Sequence, residues 1–496
     1  MADDQTSVEL ISTSTADVTF SVSGDKLESM NLTTTGNTTL GDGDTNTVKN
    51  VAITALGDAA ITLTNLDVLE NVTVTGAGAV ELKTVTGESV KSVNATANTG
   101  GVTVDLSGAD NAAFTGGAGD DTLTVNGSKV AHTLGAGDDT VVVKDTAFTD
   151  LAKGFSVDGG EGTDTLQMSA TLADGFKTAD VATNFEILQL IGGSGTVDLD
   201  NFGDIDHVAV GALDGATLTL NNMGNGGLLE YVDTPTQDVK VSVKGADTGK
   251  TDVLNVTIAD DASVAANRLT VANVETINIT ADDTDLGEDD APVQHSMTLT
   301  ADKATNVNIS GDAALNLTLT DSNEITKIDA SGNTGGLTVD LSTIDTAGKY
   351  AVTLTGSSAD DTITMGIGNF ITGGEGDDTF TATAAGADPV AATSFSTIMD
   401  FEAGDKLEIT GMATLADKVA LTAEMSFDAA VTEALKSATN AEAAWFEYQG
   451  NTYVVLEATG DDNVFGEGDY LVKLNGIVDL SDAAVDSGVL TLPEGA

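Results

Sequence analysis

The sequence predicts an all-β protein whose strands coil into a parallel β-solenoid, and three observations carry that prediction. A strand-like rung returns every 21 residues, the residue types suit strands and tight turns, and the second half of the chain repeats the first. Repeats at such a period mark arrays in which each unit buries its apolar stripe against the next.

The rung has the pattern apolar-x-x-apolar-x-apolar-Thr/Ser. It reads Leu27-Glu-Ser-Met30-Asn-Leu32-Thr33, then Val48-Lys-Asn-Val51-Ala-Ile53-Thr54. It returns as Leu69-Glu-Asn-Val72-Thr-Val74-Thr75 and as Val90-Lys-Ser-Val93-Asn-Ala95-Thr96. Apolar residues two apart share one face of a strand. A second short strand follows each of the later rungs, at Ala60–Leu63, Ala79–Leu82 and Val102–Leu106, with Gly and Asn at the corners. Antiparallel meanders or Ig-like sandwiches are the alternative, but they would need the equal spacing of four rungs to be accidental.

The pattern restarts at Val253-Leu-Asn-Val256-Thr-Ile258 and Val274-Glu-Thr-Ile277-Asn-Ile279-Thr280. It continues at Ala304-Thr-Asn-Val307-Asn-Ile309-Ser310 and Ile325-Thr-Lys-Ile328-Asp-Ala330-Ser331. Asn98-Thr-Gly-Gly-Val-Thr-Val-Asp-Leu-Ser107 matches Asn333-Thr-Gly-Gly-Leu-Thr-Val-Asp-Leu-Ser342 at an offset of 235, so the chain is an internal duplication. An acidic loop is expected over 281–296, with Asp282, Asp283, Asp285, Glu288, Asp289 and Asp290. Weaker rungs lie at Phe185–Leu190, Ile205–Val210 and Leu228–Asp233.

Of 496 residues, 19 are Lys or Arg and 78 are Asp or Glu, a formal net charge of −59. So acidic a chain repels nucleic acid and anionic membrane surfaces, and its natural partners are cations. A hydrophobic content of 41% argues for burial against disorder. With no cysteine, any staple has to be something other than a disulfide. No apolar run is long enough to span a bilayer. Met1-Ala-Asp-Asp-Gln has neither the basic nor the apolar part of a secretory leader. Either the chain is cytoplasmic, or it leaves by a route that does not read the N-terminus.

A second repeat carries the chemistry. Gly116-Gly117-Ala-Gly119-Asp120-Asp121-Thr-Leu123-Thr124 fits G-G-x-G-x-D-x-U-x, with U apolar. Leu134-Gly135-Ala-Gly137-Asp138-Asp139-Thr-Val141-Val142 begins 18 residues later, two nonapeptides on, with one Gly replaced. Gly159-Gly160-Glu-Gly162-Thr-Asp164-Thr-Leu166-Gln167 fits fully, as does Gly373-Gly374-Glu-Gly376-Asp377-Asp378-Thr-Phe380-Thr381. Gly356-Ser-Ser-Ala-Asp360-Asp361-Thr-Ile363-Thr364 fits in part. Glycine lets the backbone curl with φ > 0, and Asp supplies a hard anionic oxygen. Calcium takes six to eight oxygens at roughly 2.3–2.6 Å in a tolerant geometry. One turn supplies too few, so a bound ion is expected between successive turns. Plain Gly-Asp turns are the alternative for any single copy. Asp121, Asp139, Asp164, Asp361 and Asp378 are the expected first ligands, with Asp120, Asp138, Asp360 and Asp377 as second contributors.

These nonapeptides resemble the RTX family of bacterial proteins exported by type I secretion. Ser394-Phe-Ser-Thr-Ile-Met-Asp400-Phe401-Glu-Ala-Gly404-Asp405-Lys-Leu407-Glu-Ile409 is similar to the segment that caps RTX blocks, where an Asp-Phe and a Gly-Asp pair close the last calcium turn. That resemblance adds Asp400 and Asp405 to the expected metal set. It also implies an uncleaved C-terminal export signal, and the tail segments 445–455 and 468–476 are similar to those of exported relatives. The Thr-rich rungs resemble the solenoid of RTX-type surface-layer proteins, which use calcium to fold and to join into lattices. The implied architecture is solenoid rungs interleaved with RTX β-roll turns and a small β-rich C-terminal cap. Its expected segments are an N-terminal solenoid (1–110), a first calcium block (111–170), a second solenoid with the acidic insertion (171–345), a second calcium block (346–392) and the cap with its export region (393–496).

Signals for catalysis are missing. There is no H-E-x-x-H and no G-x-S-x-G, and Gly192-Gly-Ser-Gly-Thr fails at its last position. His132, His207 and His295 fall in separate repeats and read as surface residues. Arg268 is the only arginine, too little to line a groove for an acidic polysaccharide. Trp445, Phe446, Tyr448, Tyr453, Phe465 and Tyr470 cluster late and read as the core of the cap, the other reading being a subunit contact. The stretches Thr383–Val390 and Leu415–Asn440 are the least β-like, with a piece of helix over Thr432–Ser437. The expected function is a secreted, calcium-dependent, self-assembling structural subunit of a bacterial surface layer, sheath or filament. Its partner is then itself, and cell-surface polysaccharide is a further candidate. The alternative is an RTX adhesin or matrix protein that binds a glycan or surface as a monomer, and the third reading is a polysaccharide-modifying enzyme.

Overall fold

Alternation of Val, Ile and Leu with Thr, Ser and Asn puts every second rung side chain on one face, and that face is where the chain buries its core. The computed structural model describes all residues except 1–4, 44–45, 127–128, 145–154, 177–180, 236, 285–292, 345–350, 387–393, 440, 459–463 and 494–496. They form two units, Met1–Gly224 and Asn225–Ala496. Both are built of parallel β-solenoid coils, about 15 turns in all.

In the first unit, Ser29–Thr34, Asn50–Ala55, Asn71–Gly76 and Ser92–Asn98 pair in parallel as one sheet. The return strands Thr38–Asp42, Ala59–Thr64, Val80–Lys83 and Val102–Asp105 form a second sheet. One 21-residue period is therefore one coil, and equivalent residues stack. Met30, Val51, Val72 and Val93 form one inward column, each at most 1% exposed. The second unit stacks Leu254, Ile277, Val307 and Ile328 in the same way, all fully buried. Polar positions stack as well: Asn278 Nδ2 donates to Asn255 Oδ1 and Asn308 Nδ2 to Asn278 Oδ1, both at 2.8 Å.

The duplication extends to individual hydrogen bonds. Buried Asn98 donates to the Gly78 carbonyl (3.0 Å) and accepts from the Gly100 amide (3.1 Å). Buried Asn333 donates to the Ala313 carbonyl (2.9 Å) and accepts from the Gly335 amide (3.1 Å). Sheet register slips at Thr73/Thr75 in one unit and at Asn308/Ser310 in the other, the same bulge 235 residues on.

Both motif stretches continue these sheets. Ala113–Thr115, Ala131–Ala136 and Ser156–Glu161 extend the first sheet of unit one, and Thr122–Val125, Thr140–Val143 and Thr165–Met168 the second. The weaker rungs are strands too, at Ile187–Leu190, His207–Val210 and Leu228–Tyr231.

Two expectations need correction. The acidic stretch is not a loop from 281: the strand Thr276–Asp283 runs on with Asp282 and Asp283 in register with Ala259 and Asp260, and the next strand starts at Gln294. Backbone pairing outweighs the acidic composition there. Asp285, Glu288, Asp289 and Asp290 lie outside the described residues. Nor are the histidines all on the surface, since His132 and His295 are buried. Each ties coils together, His132 Nδ1 accepting from the Phe114 amide (3.2 Å) and His295 Nδ1 from the Val264 amide (3.1 Å). Burial lowers the His132 pKa to about 4, so its ring is neutral and can accept that bond.

At the end of unit two the parallel stack stops. Glu442–Tyr448, Asn451–Leu456 and Tyr470–Leu474 form an antiparallel sheet, of which the last strand also lies parallel to Ser396–Ile398. The helix Phe427–Ser437 is longer than the expected piece, with Ser426 capping its start through the Ala429 amide. Its Ala430, Val431, Ala434 and Leu435 pack with Phe446 and Tyr453, the aromatic core expected of a cap. Among the described residues no helix is long and apolar enough to cross a membrane.

Truncating Asn333 to Ala leaves buried carbonyl and amide groups without partners, which costs about 1–3 kcal/mol. Asn98→Ala should cost a similar amount in the first unit. Denaturant unfolding of the two variants against wild type checks this.

Candidate functional site

Each motif turn ends where its Asp enters the return strand, and stacking aligns these Asp residues from coil to coil. Asp121, Asp139, Asp164, Asp361 and Asp378 are each at most 1% exposed. They form two ladders, one per unit. In the first, the Val102 amide donates to Asp121 Oδ1 (2.6 Å), the Asp121 amide to Asp139 Oδ1 (2.6 Å), and the Asp139 amide to Asp164 Oδ1 (2.8 Å). In the second, the Leu337 amide donates to Asp361 Oδ1 (2.6 Å), the Asp361 amide to Asp378 Oδ1 (2.9 Å), and the Asp378 amide to Asp405 Oδ1 (3.1 Å).

An outer column runs alongside each ladder and points the opposite way. Asp120 Oδ1 accepts from the Asp138 amide (2.9 Å), Asp138 Oδ1 from the Thr163 amide (2.8 Å), and Asp360 Oδ1 from the Asp377 amide (2.9 Å). These outer carboxylates, and that of Asp377, are exposed. Asp400 joins the second group by accepting from the amides of Gly373 (2.9 Å) and Gly374 (3.1 Å). Asp405 closes its own turn through the Glu402 amide (2.9 Å). Every residue of the expected metal set thus falls on one of these columns or on the glycine columns beside them.

The motif glycines act by two means. Gly135, Gly137, Gly160, Gly162, Gly374 and Gly376 hold positive φ, between 113° and 141°. Gly117 and Gly119 do not, and their requirement is close approach: a methyl on Gly117 would overlap the Asn98 carbonyl, and one on Gly119 the backbone of Gly100 and Gly101. Gly160 meets both demands, because a methyl there would overlap the Gly135 carbonyl of the preceding coil.

The electrostatics are costly. Burial pushes the Asp139 carboxyl up to about 7, with Asp121, Asp164 and Asp120 adding repulsion against the stabilising Asp121 amide. Burial likewise pushes Asp378 to about 7 and Asp164 to about 6. Asp121, Asp361 and Asp405 are raised as well, burial again being the largest cause. Asp139 Oδ2 and Asp164 Oδ2 are buried and have no hydrogen-bond partner among the described residues.

Among the described residues, no three acidic or histidine side chains converge into a ready-made metal cluster. The ladders supply one buried carboxylate per coil, so a cation held here would have to draw oxygens from successive coils and their backbone. The donor set, the two orphaned oxygens and the glycine-lined turns suit a hard divalent cation.

One ladder member carries no motif. The Asp164 amide donates to Glu186 Oε2 (2.7 Å) from the next coil, where Asn184-Phe-Glu186 follows no nonapeptide. Asn184 has φ 53°, and that left-handed turn before the strand is the signal that could have located it.

Without metal, raised carboxyl pKa values mean that the folded chain binds more protons than the unfolded one. Their contribution is full below the ordinary Asp value near 4 and is lost as pH rises towards about 7. In excess EGTA the chain should be largely unfolded at pH 7.5 and regain β-structure as pH is lowered towards 5, and an Asp139→Asn/Asp378→Asn variant should flatten that dependence, both read by circular dichroism. Gly160→Ala should destabilise the first unit by about 1–3 kcal/mol from backbone strain alone, read by denaturant unfolding. No family model matches the chain, and no curated protein matches it significantly.

Proposed function

We propose that this chain is a calcium-dependent, self-assembling structural protein of the bacterial exterior, a subunit of a surface layer, sheath or filament exported by type I secretion. The observation that carries the calcium reading is the pair of Asp ladders, whose buried carboxylates include two oxygens with no partner among the described residues. Asp121, Asp139 and Asp164 would hold calcium in the first unit, and Asp361, Asp378, Asp400 and Asp405 in the second. Calcium supplies charge neutralisation and bridges successive coils. The outer aspartates and the glycine-lined turns complete the oxygen supply.

Two features support a structural role. The fold is a repeat stack of β-coils, and among the described residues few of the acidic side chains are buried. Carboxylate-rich surfaces repel one another until a divalent cation bridges them, so one ion can govern both folding and assembly. A cytosol poor in calcium would leave the chain expanded enough to thread through an exporter. At a calcium concentration one hundred times its dissociation constant, each site adds about 2.7 kcal/mol to the folded state.

Calcium titration followed in parallel by circular dichroism and electron microscopy tests this reading. β-structure and ordered assemblies should both appear with calcium and vanish with EGTA. A chain that keeps its full β-structure in excess EGTA at pH 7.5 contradicts the calcium reading, and one that folds with calcium but stays monomeric contradicts self-assembly. Binding should also release protons below pH 7, because calcium takes the ionised form of Asp139 and Asp378, whose pKa values lie at about 7.

A further inference from the structure

Asp252 lies in the second unit, outside every glycine-rich turn, yet it repeats the construction at the end of the first ladder. The Asp164 amide donates to Glu186 Oε2 of the next coil (2.7 Å), and the Asp252 amide donates to Glu275 Oε2 of its next coil (3.0 Å). Their carbonyls accept from Ile187 (3.0 Å) and from Thr276 (3.1 Å), the residues directly after those glutamates. Both glutamates follow a left-handed asparagine by two residues: Asn184 has φ 53° and Asn273 has φ 60°. The segments align as Thr163-Asp164-Thr-Leu166 and Thr251-Asp252-Val-Leu254.

The carboxylate environment matches as well. Asp252 is only 7% exposed, and its Oδ2 is buried with no hydrogen-bond partner among the described residues, as are Asp139 Oδ2 and Asp164 Oδ2. A glycine makes room for it: a methyl on Gly249 would overlap Asp252 Oδ2, just as one on Gly159 would overlap Asp164 Oδ2. The nonapeptide frame places 247–255 as a turn that keeps the motif Asp and apolar residue but has Asp247, Thr248 and Lys250 where the three glycines of G-G-x-G would stand, with Gly249 at the x between them.

We infer that Asp252 and Glu275 form a further divalent-cation site of the calcium class, in a turn whose glycine signature has been lost. This rests on the calcium reading of the ladders. The buried, unpartnered oxygen of Asp252 is the primary donor, Glu275 from the next coil is the second, and backbone oxygens of the 247–251 turn are the remaining source. Lys250 makes it a weaker site than those of the glycine-rich turns.

The test compares bound calcium per chain at saturation, by equilibrium dialysis with metal analysis, for wild type, Asp252→Asn and Asp139→Asn, with circular dichroism in calcium to certify folding. Asp252→Asn should bind one calcium fewer than wild type, and Glu275→Gln should weaken the same site. A folded Asp252→Asn chain with wild-type stoichiometry overturns the inference, while a loss in Asp139→Asn would leave the ladder reading standing. If wild type binds no calcium, the ladder reading falls and this inference with it. Should Asp252→Asn fail to fold, Lys250→Gly decides: it should tighten the weakest site severalfold without changing the number bound, and an unchanged isotherm overturns the inference.

Discussion

Parallel stacking in register is the constraint on which the rest of this structure depends. Each coil offers its backbone to the next, so whatever residue stands at a given position meets its own equivalent about 4.8 Å away. For Met30, Val51, Val72 and Val93 this produces a continuous apolar column. For Asn255, Asn278 and Asn308 it produces an amide ladder in which the middle side chain, Asn278, both donates and accepts. For Asp121, Asp139 and Asp164 it produces a column of like charges. Two full charges at that spacing repel by roughly 3 kcal/mol at an effective dielectric of 20. Backbone amides offset part of this, and burial, with repulsion from Asp121 and Asp164 added to it, leaves the Asp139 carboxyl raised to about 7.

The same rule explains the glycines. A turn that repeats in every coil brings carbonyl against α-carbon all the way up the stack, and any side chain there would collide with the coil before it. Asn98, Gly117, Gly135 and Gly160 form one such file, each later residue seated on the carbonyl of the one before. Close backbone approach and a buried carboxylate therefore come as one device. The partial copy at 356–364 has Ser357 and Ala359 in place of two glycines yet keeps the Asp, and Ser357 uses its hydroxyl to bond Asp361 (2.8 Å).

Much of this was legible in the sequence because a solenoid writes its geometry as a period. The 21-residue spacing located the strands of unit one, and the 235-residue offset located their equivalents in unit two, down to Asn98 and Asn333. What was not legible was whatever breaks the period. Asp282 and Asp283 read as loop because of charge, but their backbones stay in the ladder. His132 and His295 read as surface residues because composition does not reveal that an imidazole can bond an amide of the neighbouring coil. Glu186 was missed because it belongs to the ladder only through the coil before it, a partner 22 residues away that no local motif records.

That last case bears on how such a chain spreads its buried carboxylates. A local motif marks turns in which one segment provides both the close-packed backbone and the carboxylate. Stacking allows the two to be divided between coils, since Glu186 reaches Asp164 from the next coil, as Glu275 reaches Asp252. A duplicated solenoid can thus lose glycines from one turn and keep the buried carboxylate, provided the following coil supplies a second oxygen. In this architecture the buried carboxylates belong to the interval between two coils, and reading one turn at a time undercounts the places where the proposed cation would be held.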